Sequence, residues 1–311
     1  MKRIKKFILI FLMVILICAI TIGTLIGNLF YNIALNSNVS KDIVYASSSG
    51  DEVYDDEKWL VENSNYTDEY ITSKDNLKLH AYVVKQSENT NKWAIVVHGY
   101  GGEGKLMSSK AMSFYNMGYN VLIPDLRGHG KSEGDYIGMG WDDRFDIISW
   151  INHIIKSDSN AEIVLHGTSM GAATVLMTSG ENLPSNVKAI VSDCAYTSAW
   201  DIFNYELKTY LDISSFPIMN FSNLVTRVKA GYSLKDASAI KQVKKTKIPI
   251  LYIHGDSDKF VPPSMMDELY NATNSPKEKL IVEGAKHANS DLINPKLYWT
   301  TIYDFLGNYV K

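Results

Sequence analysis

The chain has 311 residues, 46% of them apolar, and its 31 basic and 34 acidic side chains leave a net charge of −3. That length buries a sizeable core, as one large α/β domain or two small ones, and the charge balance gives no electrostatic case for binding nucleic acid. Two cysteines, Cys18 and Cys194, the first inside an apolar run, exclude a disulfide-built core.

The first element is N-terminal. Lys2, Arg3, Lys5 and Lys6 precede a run from Phe7 to Ile26 that carries no charge. As a helix rising about 1.5 Å per residue, that run spans about 30 Å, one hydrocarbon core. A cleaved secretory signal has an apolar region of roughly 7–15 residues and a small-x-small site. This run is longer and no Ala-x-Ala follows. Ile15, Leu16 and Ile17 are too bulky for a lipoprotein cleavage site at Cys18. Residues 1–27 therefore read as a cytoplasmic tip and an uncleaved single-pass anchor. The basic tip orients the remainder outside the cytoplasm, at the cell membrane. Without those four cations the remainder is more acidic, and it is expected to stand off from anionic headgroups. Residues 28–69 read as a linker and N-terminal extension, with "NSNVS", "SSSG" and "DEVYDDE".

From residue 70 to 311 strands alternate with helices. "LKLHAYVV" (77–84) alternates like an antiparallel edge strand. "WAIVVHG" (93–99) and "YNVLIPD" (119–125) are buried parallel strands flanking a helix over Lys105–Met117. A helix over Trp141–Ile155 leads to the strand "EIVLHG" (162–167), the helix Met170–Ser179 and the strand "VKAIVSD" (187–193). "KIPILYIHG" (247–255), a helix over Met265–Ala272, "EKLIVEG" (278–284) and a helix over Pro295–Tyr309 complete the domain. The pattern implies a mostly parallel sheet with helices on both faces, and function at the carboxyl ends of its strands. Residues about 195–245 are too many for a bare loop and are expected to form a small helical cap. Tyr205, Leu207, Tyr210, Leu211, Phe216, Ile218, Met219 and Phe221 would supply its apolar side.

Four loops at those strand ends carry chemistry. Gly167-Thr168-Ser169-Met170-Gly171 is a G-x-S-x-G between strand and helix. A serine hydroxyl needs a base to become a nucleophile, and a strained strand-to-helix turn exposes it while aiming the Met170 N–H at the developing oxyanion. His98-Gly99-Tyr100-Gly101-Gly102 follows a buried strand, and the Tyr100 N–H is the natural second donor. In "HGDSDKFVP" (254–262) Asp258 is the first choice to orient an imidazole; Asp256, a turn former, and Asp193 compete. In "EGAKHANS" (283–290) His287 is the general base. His80, His98, His129, His153, His166 and His254 sit in strands, helices or structural turns.

The order Ser169, Asp258, His287 around a G-x-S-x-G elbow resembles the α/β-hydrolase superfamily over roughly residues 70–310. "PDLRGHGKSEG" (124–134) looks like the family's loop after its fourth strand. With "HGYGG", "DCAYTS" and the N-terminal apolar segment, the chain is similar to bacterial membrane-anchored or cell-surface hydrolases and to serine-aminopeptidase-like members. The resemblance implies an α/β-hydrolase fold, Ser169 as nucleophile, Asp258 as acid, His287 as base, and oxyanion donors at Tyr100 and Met170. It implies a small-molecule acyl substrate and no metal or cofactor. A carboxylic ester hydrolase is the leading expectation. A peptidase, aminopeptidase or acyltransferase would use the same triad, and a non-catalytic surface-tethered binding protein is the third possibility.

Overall fold

The computed structural model describes residues 2–39 and 58–311. Residues 40–57, the middle of the expected linker with "SSSG" and all of "DEVYDDE", lie outside the described residues. The helices in chain order are α1 (Lys2–Ala34), α2 (Ser108–Asn116), α3 (Asp143–Ser157), α4 (Met170–Ser179), α5 (Ala199–Leu211), α6 (Ile218–Lys229), α7 (Ala239–Val243), α8 (Pro263–Ala272), α9 (Ser290–Ile293) and α10 (Pro295–Gly307). The strands are β1 (Thr67–Thr72), β2 (Lys78–Val84), β3 (Lys92–Val97), β4 (Asn120–Pro124), β5 (Glu162–Thr168), β6 (Val187–Asp193), β7 (Ile250–Gly255) and β8 (Lys277–Val282).

The eight strands form one sheet in the order β1-β2-β4-β3-β5-β6-β7-β8. The pairs β1–β2 and β2–β4 are antiparallel, and every pair from β4 to β8 is parallel. Along β3, Trp93, Ile95 and Val97 join the core under α3, α4 and α8, while Ala94 and Val96 join the core under α2 and α10. Both faces are covered, so both sets of side chains must be apolar, and the strand reads as an unbroken apolar run. The cap consists of α5, α6 and α7 between β6 and β7. Ser198 opens α5 by accepting a hydrogen bond from the Asp201 N–H at 3.0 Å.

Two features differ from the sequence expectation. The edge of the sheet is β1, not the 77–84 strand, which lies between β1 and β4. The charged, half-exposed "TDEYIT" of β1 lacks an apolar face long enough to separate it from the preceding linker. The second difference is larger. The apolar helix does not give way to a linker at residue 28: α1 continues to Ala34, and its last turns dock on the domain. Gly23, Gly27, Tyr31, Ala34 and Leu35 are buried at helical spacing. A Cβ on Gly23 would meet the Phe221 ring at 2.2 Å, and one on Gly27 would lie 2.7 Å from the Phe221 carbonyl. The small residues thus let α6 pack directly on α1, as small-xxx-small faces do between helices. The domain therefore packs directly against the C-terminal turns of this helix.

Candidate active site

The elbow is built as its residues require. Ser169 links β5 to α4 with φ 56° and ψ −118°, a conformation that costs a non-glycine residue about 1–3 kcal/mol. Its N–H is held by the Asp193 carbonyl at 2.8 Å. The flanking glycines are steric necessities: a Cβ on Gly167 would stand 2.3 Å from the Gly171 carbonyl, and one on Gly171 would stand 2.2 Å from the Val97 carbonyl. The Met170 N–H lies in the first turn of α4, where amides have no intrahelical acceptor.

The structure brings the three residues Ser169, His287 and Asp258 together. The Ser169 hydroxyl lies 2.8 Å from His287 Nε2, and His287 Nδ1 donates to Asp258 Oδ2 at 2.7 Å. Asp258 Oδ1 accepts from the Phe260 and Val261 N–H groups, each at 2.9 Å. Burial alone would raise the Asp258 carboxyl, but side-chain hydrogen bonds from His254 and His287 outweigh it and hold the group at about 2. The competitors are otherwise engaged. Asp256 accepts from the Gly284 N–H at 2.8 Å, as a turn former. Asp193 is fully buried and pushed up to about 6 by that burial, and it accepts from the Tyr298 hydroxyl at 3.0 Å. His166 is kept neutral by burial, its value lowered to about 3, and it packs against the same tyrosine.

The glycine-rich loop after β3 runs beside Ser169; a Cβ on Gly99 would lie 3.4 Å from Ser169 Cβ. His98 fastens the loop, donating from Nδ1 to the Gly99 carbonyl at 2.7 Å and accepting the Leu126 N–H on Nε2 at 3.0 Å. Its role is therefore structural. The Tyr100 side chain has a task that sequence reasoning missed: its hydroxyl donates to the Ala34 carbonyl at 2.6 Å, tying the loop after β3 to the last turn of α1.

Cys194, Asp258 and His287 are the described residues closest to a metal-binding set, with ligand atoms within 4.8 Å of one another. Two of the three are already bonded to each other. Burial pushes the Cys194 thiol well up, which keeps it protonated and a poor ligand.

A cavity of about 480 Å³ opens over Ser169, lined by residues of α1, α5 and the loop after β7. Of the expected cap residues, Leu207, Tyr210, Leu211 and Ile218 line it. Met219 is buried in the core and Phe221 packs on α1. Tyr205 and Tyr210 both donate to the Lys259 carbonyl at 3.0 Å, and Phe216 is exposed. Glu206 is the one carboxylic acid among the described residues of the lining, and among those residues its buried Oε1 has no hydrogen-bond partner. Burial, helped by the charge on Asp258, pushes its carboxyl from 4.5 up to about 8. Between those values the folded chain keeps a proton that the unfolded chain has lost, so stability falls as pH rises through that window. In Glu206→Gln this dependence disappears. Calorimetry should find the variant's Tm rising relative to the parent's by at least about 2 °C between pH 5 and pH 8; a constant difference would contradict a neutral Glu206.

With the geometry established, three comparisons align with it. The family model described as "Serine aminopeptidase, S33" matches residues 88–215. The Bacillus subtilis protein YqkD is 30% identical over 223 residues, covering 71% of this chain and 72% of its own. The Saccharomyces cerevisiae membrane protein YNL320W is 24% identical, over 76% of this chain and 78% of its own. Among solved structures, an esterase of Pyrococcus furiosus superposes with a TM-score of 0.65 at 21% identity, covering 85% of this chain and 96% of that one.

Proposed function

The chain belongs to the α/β-hydrolase superfamily, and from that premise we propose that it is a membrane-anchored serine hydrolase of carboxylic esters whose domain faces outward. The observation that carries this reading is the continuous relay from Asp258 through His287 to Ser169, at 2.7 and 2.8 Å.

His287 Nε2 takes the Ser169 proton as Oγ attacks the ester carbonyl carbon. The oxyanion of the tetrahedral intermediate is held by the Tyr100 and Met170 N–H groups. The C–O bond to the leaving alcohol breaks, and His287 returns the proton to that oxygen. Water, deprotonated by His287, then attacks the acyl-enzyme and releases the acid. Asp258 keeps Nδ1 protonated and stabilises the imidazolium in both halves.

The anchor reading rests on α1. Side chains from Phe7 to Ile22 such as Phe7, Phe11 and Leu16 stand 74%, 65% and 59% exposed, a surface suited to lipid and not to water. The basic residues before Phe7 support a cytoplasmic placement of that end.

A peptidase is the second reading, favoured by the description of the matching family model. The ester reading is preferred because the described lining of the cavity is mostly apolar, and Glu206, the one carboxyl among the described residues that line it, is pushed up to about 8 by burial and offers little charge to a substrate amine. A panel of acyl esters, acyl amides and aminoacyl amides tests the choice. The expected result is that kcat/KM for esters exceeds that for either amide class at matched acyl groups. Faster turnover of aminoacyl amides would replace the ester reading with the peptidase one.

A further inference from the structure

The membrane helix does more than hold the domain. Ile26, Leu29, Phe30 and Ile33, in the last turns of α1, form one wall of the cavity over Ser169. Phe30 meets Phe203 of α5 edge to face, with ring centroids 5.0 Å apart. This wall is fixed in place. Leu35 is fully buried, its carbonyl accepts the Ile137 N–H at 2.7 Å, and the Tyr100 hydroxyl holds the Ala34 carbonyl at 2.6 Å.

The height of the cavity along the anchor follows from the same contacts. Counted from Phe7, a stretch of about 20 residues, enough to fit a hydrocarbon core, ends at Ile26, and the uncharged sequence continues past it. Phe221 of α6 touches α1 at Gly23 and Gly27, on either side of that end. The cap therefore sits at the boundary between hydrocarbon and headgroups. Its exposed surface agrees: Leu211, Phe216, Leu224 and Val228 are 60%, 74%, 50% and 79% exposed. They lie on α5 and α6 or between them, and α6 packs on α1 at Gly23 and Gly27. Exposed apolar side chains on helices that pack against a lipid-facing helix have lipid as their natural cover.

We propose that the substrate is a membrane-resident amphiphile bearing an acyl ester, and that its acyl chain reaches Ser169 sideways from the bilayer, into a cavity that α1 itself walls. The inference rests on the reading of Ser169 as nucleophile and α1 as anchor, and it adds the substrate class and its route. An acyl chain taking this path leaves one apolar medium for another. An ester dissolved in water would instead gain roughly fourfold in affinity per methylene buried, until the cavity is full.

The test uses the full chain reconstituted in phosphatidylcholine–phosphatidylglycerol vesicles. The probe is a fluorogenic dodecanoyl ester carrying a second long alkyl tail, so that it does not exchange between vesicles. It is placed in the enzyme's own vesicles or in separate ones, with a water-soluble acetyl ester as reference. The expected result is turnover at least about tenfold faster in the shared bilayer, where confinement raises the effective concentration. Leu29→Trp, which fills the cavity from the α1 side, should lower the dodecanoyl-to-acetyl ratio by at least about tenfold. Ile33→Trp provides the same test if Leu29→Trp does not fold. Equal turnover in shared and separate vesicles, or an unchanged ratio, overturns the inference while leaving the hydrolase intact. Two further results would locate the failure in the underlying reading: no acetyl turnover and no fluorophosphonate labelling of Ser169, or a chain that does not float with the vesicles.

Discussion

Ser169→Ala is expected to lower kcat on a short-chain ester by about 10⁶, close to the loss from removing a whole triad, because the groups of such a relay act as one unit. Among the described residues the Ser169 hydroxyl is the group hydrogen-bonded to His287 Nε2; the flanking Thr168 and Met170 are buried on β5 and α4, and burial keeps the nearby Cys194 thiol protonated. Folding should be unharmed or improved: alanine at φ 56° bears a strain similar to that of serine, and no buried polar contact other than the one to His287 is lost. Active-site titration and circular dichroism on the same sample check both parts. A variant that keeps more than about a hundredth of the activity would assign the nucleophile elsewhere.

Asp258→Asn is expected to cost about 10⁴ in kcat with the fold retained. The reason is specific to this loop. The Phe260 and Val261 N–H groups both donate to Oδ1 and demand an acceptor there. The substituted amide must therefore turn its NH₂ toward His287. The imidazole then accepts at Nδ1 and carries its proton on Nε2, where it cannot receive one from Ser169. In the parent chain the carboxyl, held at about 2, remains ionised throughout neutral and mildly acidic conditions. Its protonation accordingly does not generate an acid limb above about pH 4. Stopped-flow turnover with a nitrophenyl ester measures the loss, and near-parental activity would remove Asp258 from the relay.

The loops at the strand ends were legible because each follows an unbroken apolar run and carries a residue type with few structural uses at such a place. Gly167 and Gly171 bracket Ser169 for steric reasons that the spacing alone conveys, and the close approaches to Val97 and to the Gly171 carbonyl bear those reasons out. Asp258 was separable from Asp256 only by its place in the chain order, and the two hydrogen-bond sets now distinguish them. The end of α1 was not legible as part of the site. Residues from 28 onward read as a linker by composition, on "NSNVS", "SSSG" and "DEVYDDE", although Gly23, Gly27, Tyr31 and Ala34 carry a helical period of small and buried positions. What Gly23 and Gly27 pack against, Phe221, lies far along the chain, and no local pattern names a partner at that distance. Glu206 was missed for a related reason: one acidic residue on a helix looks solvated until its neighbours across the cavity are known.

The measurement that bears most directly on the whole account is peptide mass spectrometry of the membrane-reconstituted protein after brief exposure to a fluorophosphonate. The predicted result is a single stoichiometric adduct on the peptide containing Ser169, formed in the parent chain and lost in His287→Ala. An adduct on another residue, or labelling of Ser169 that persists at full rate without the imidazole, would contradict it.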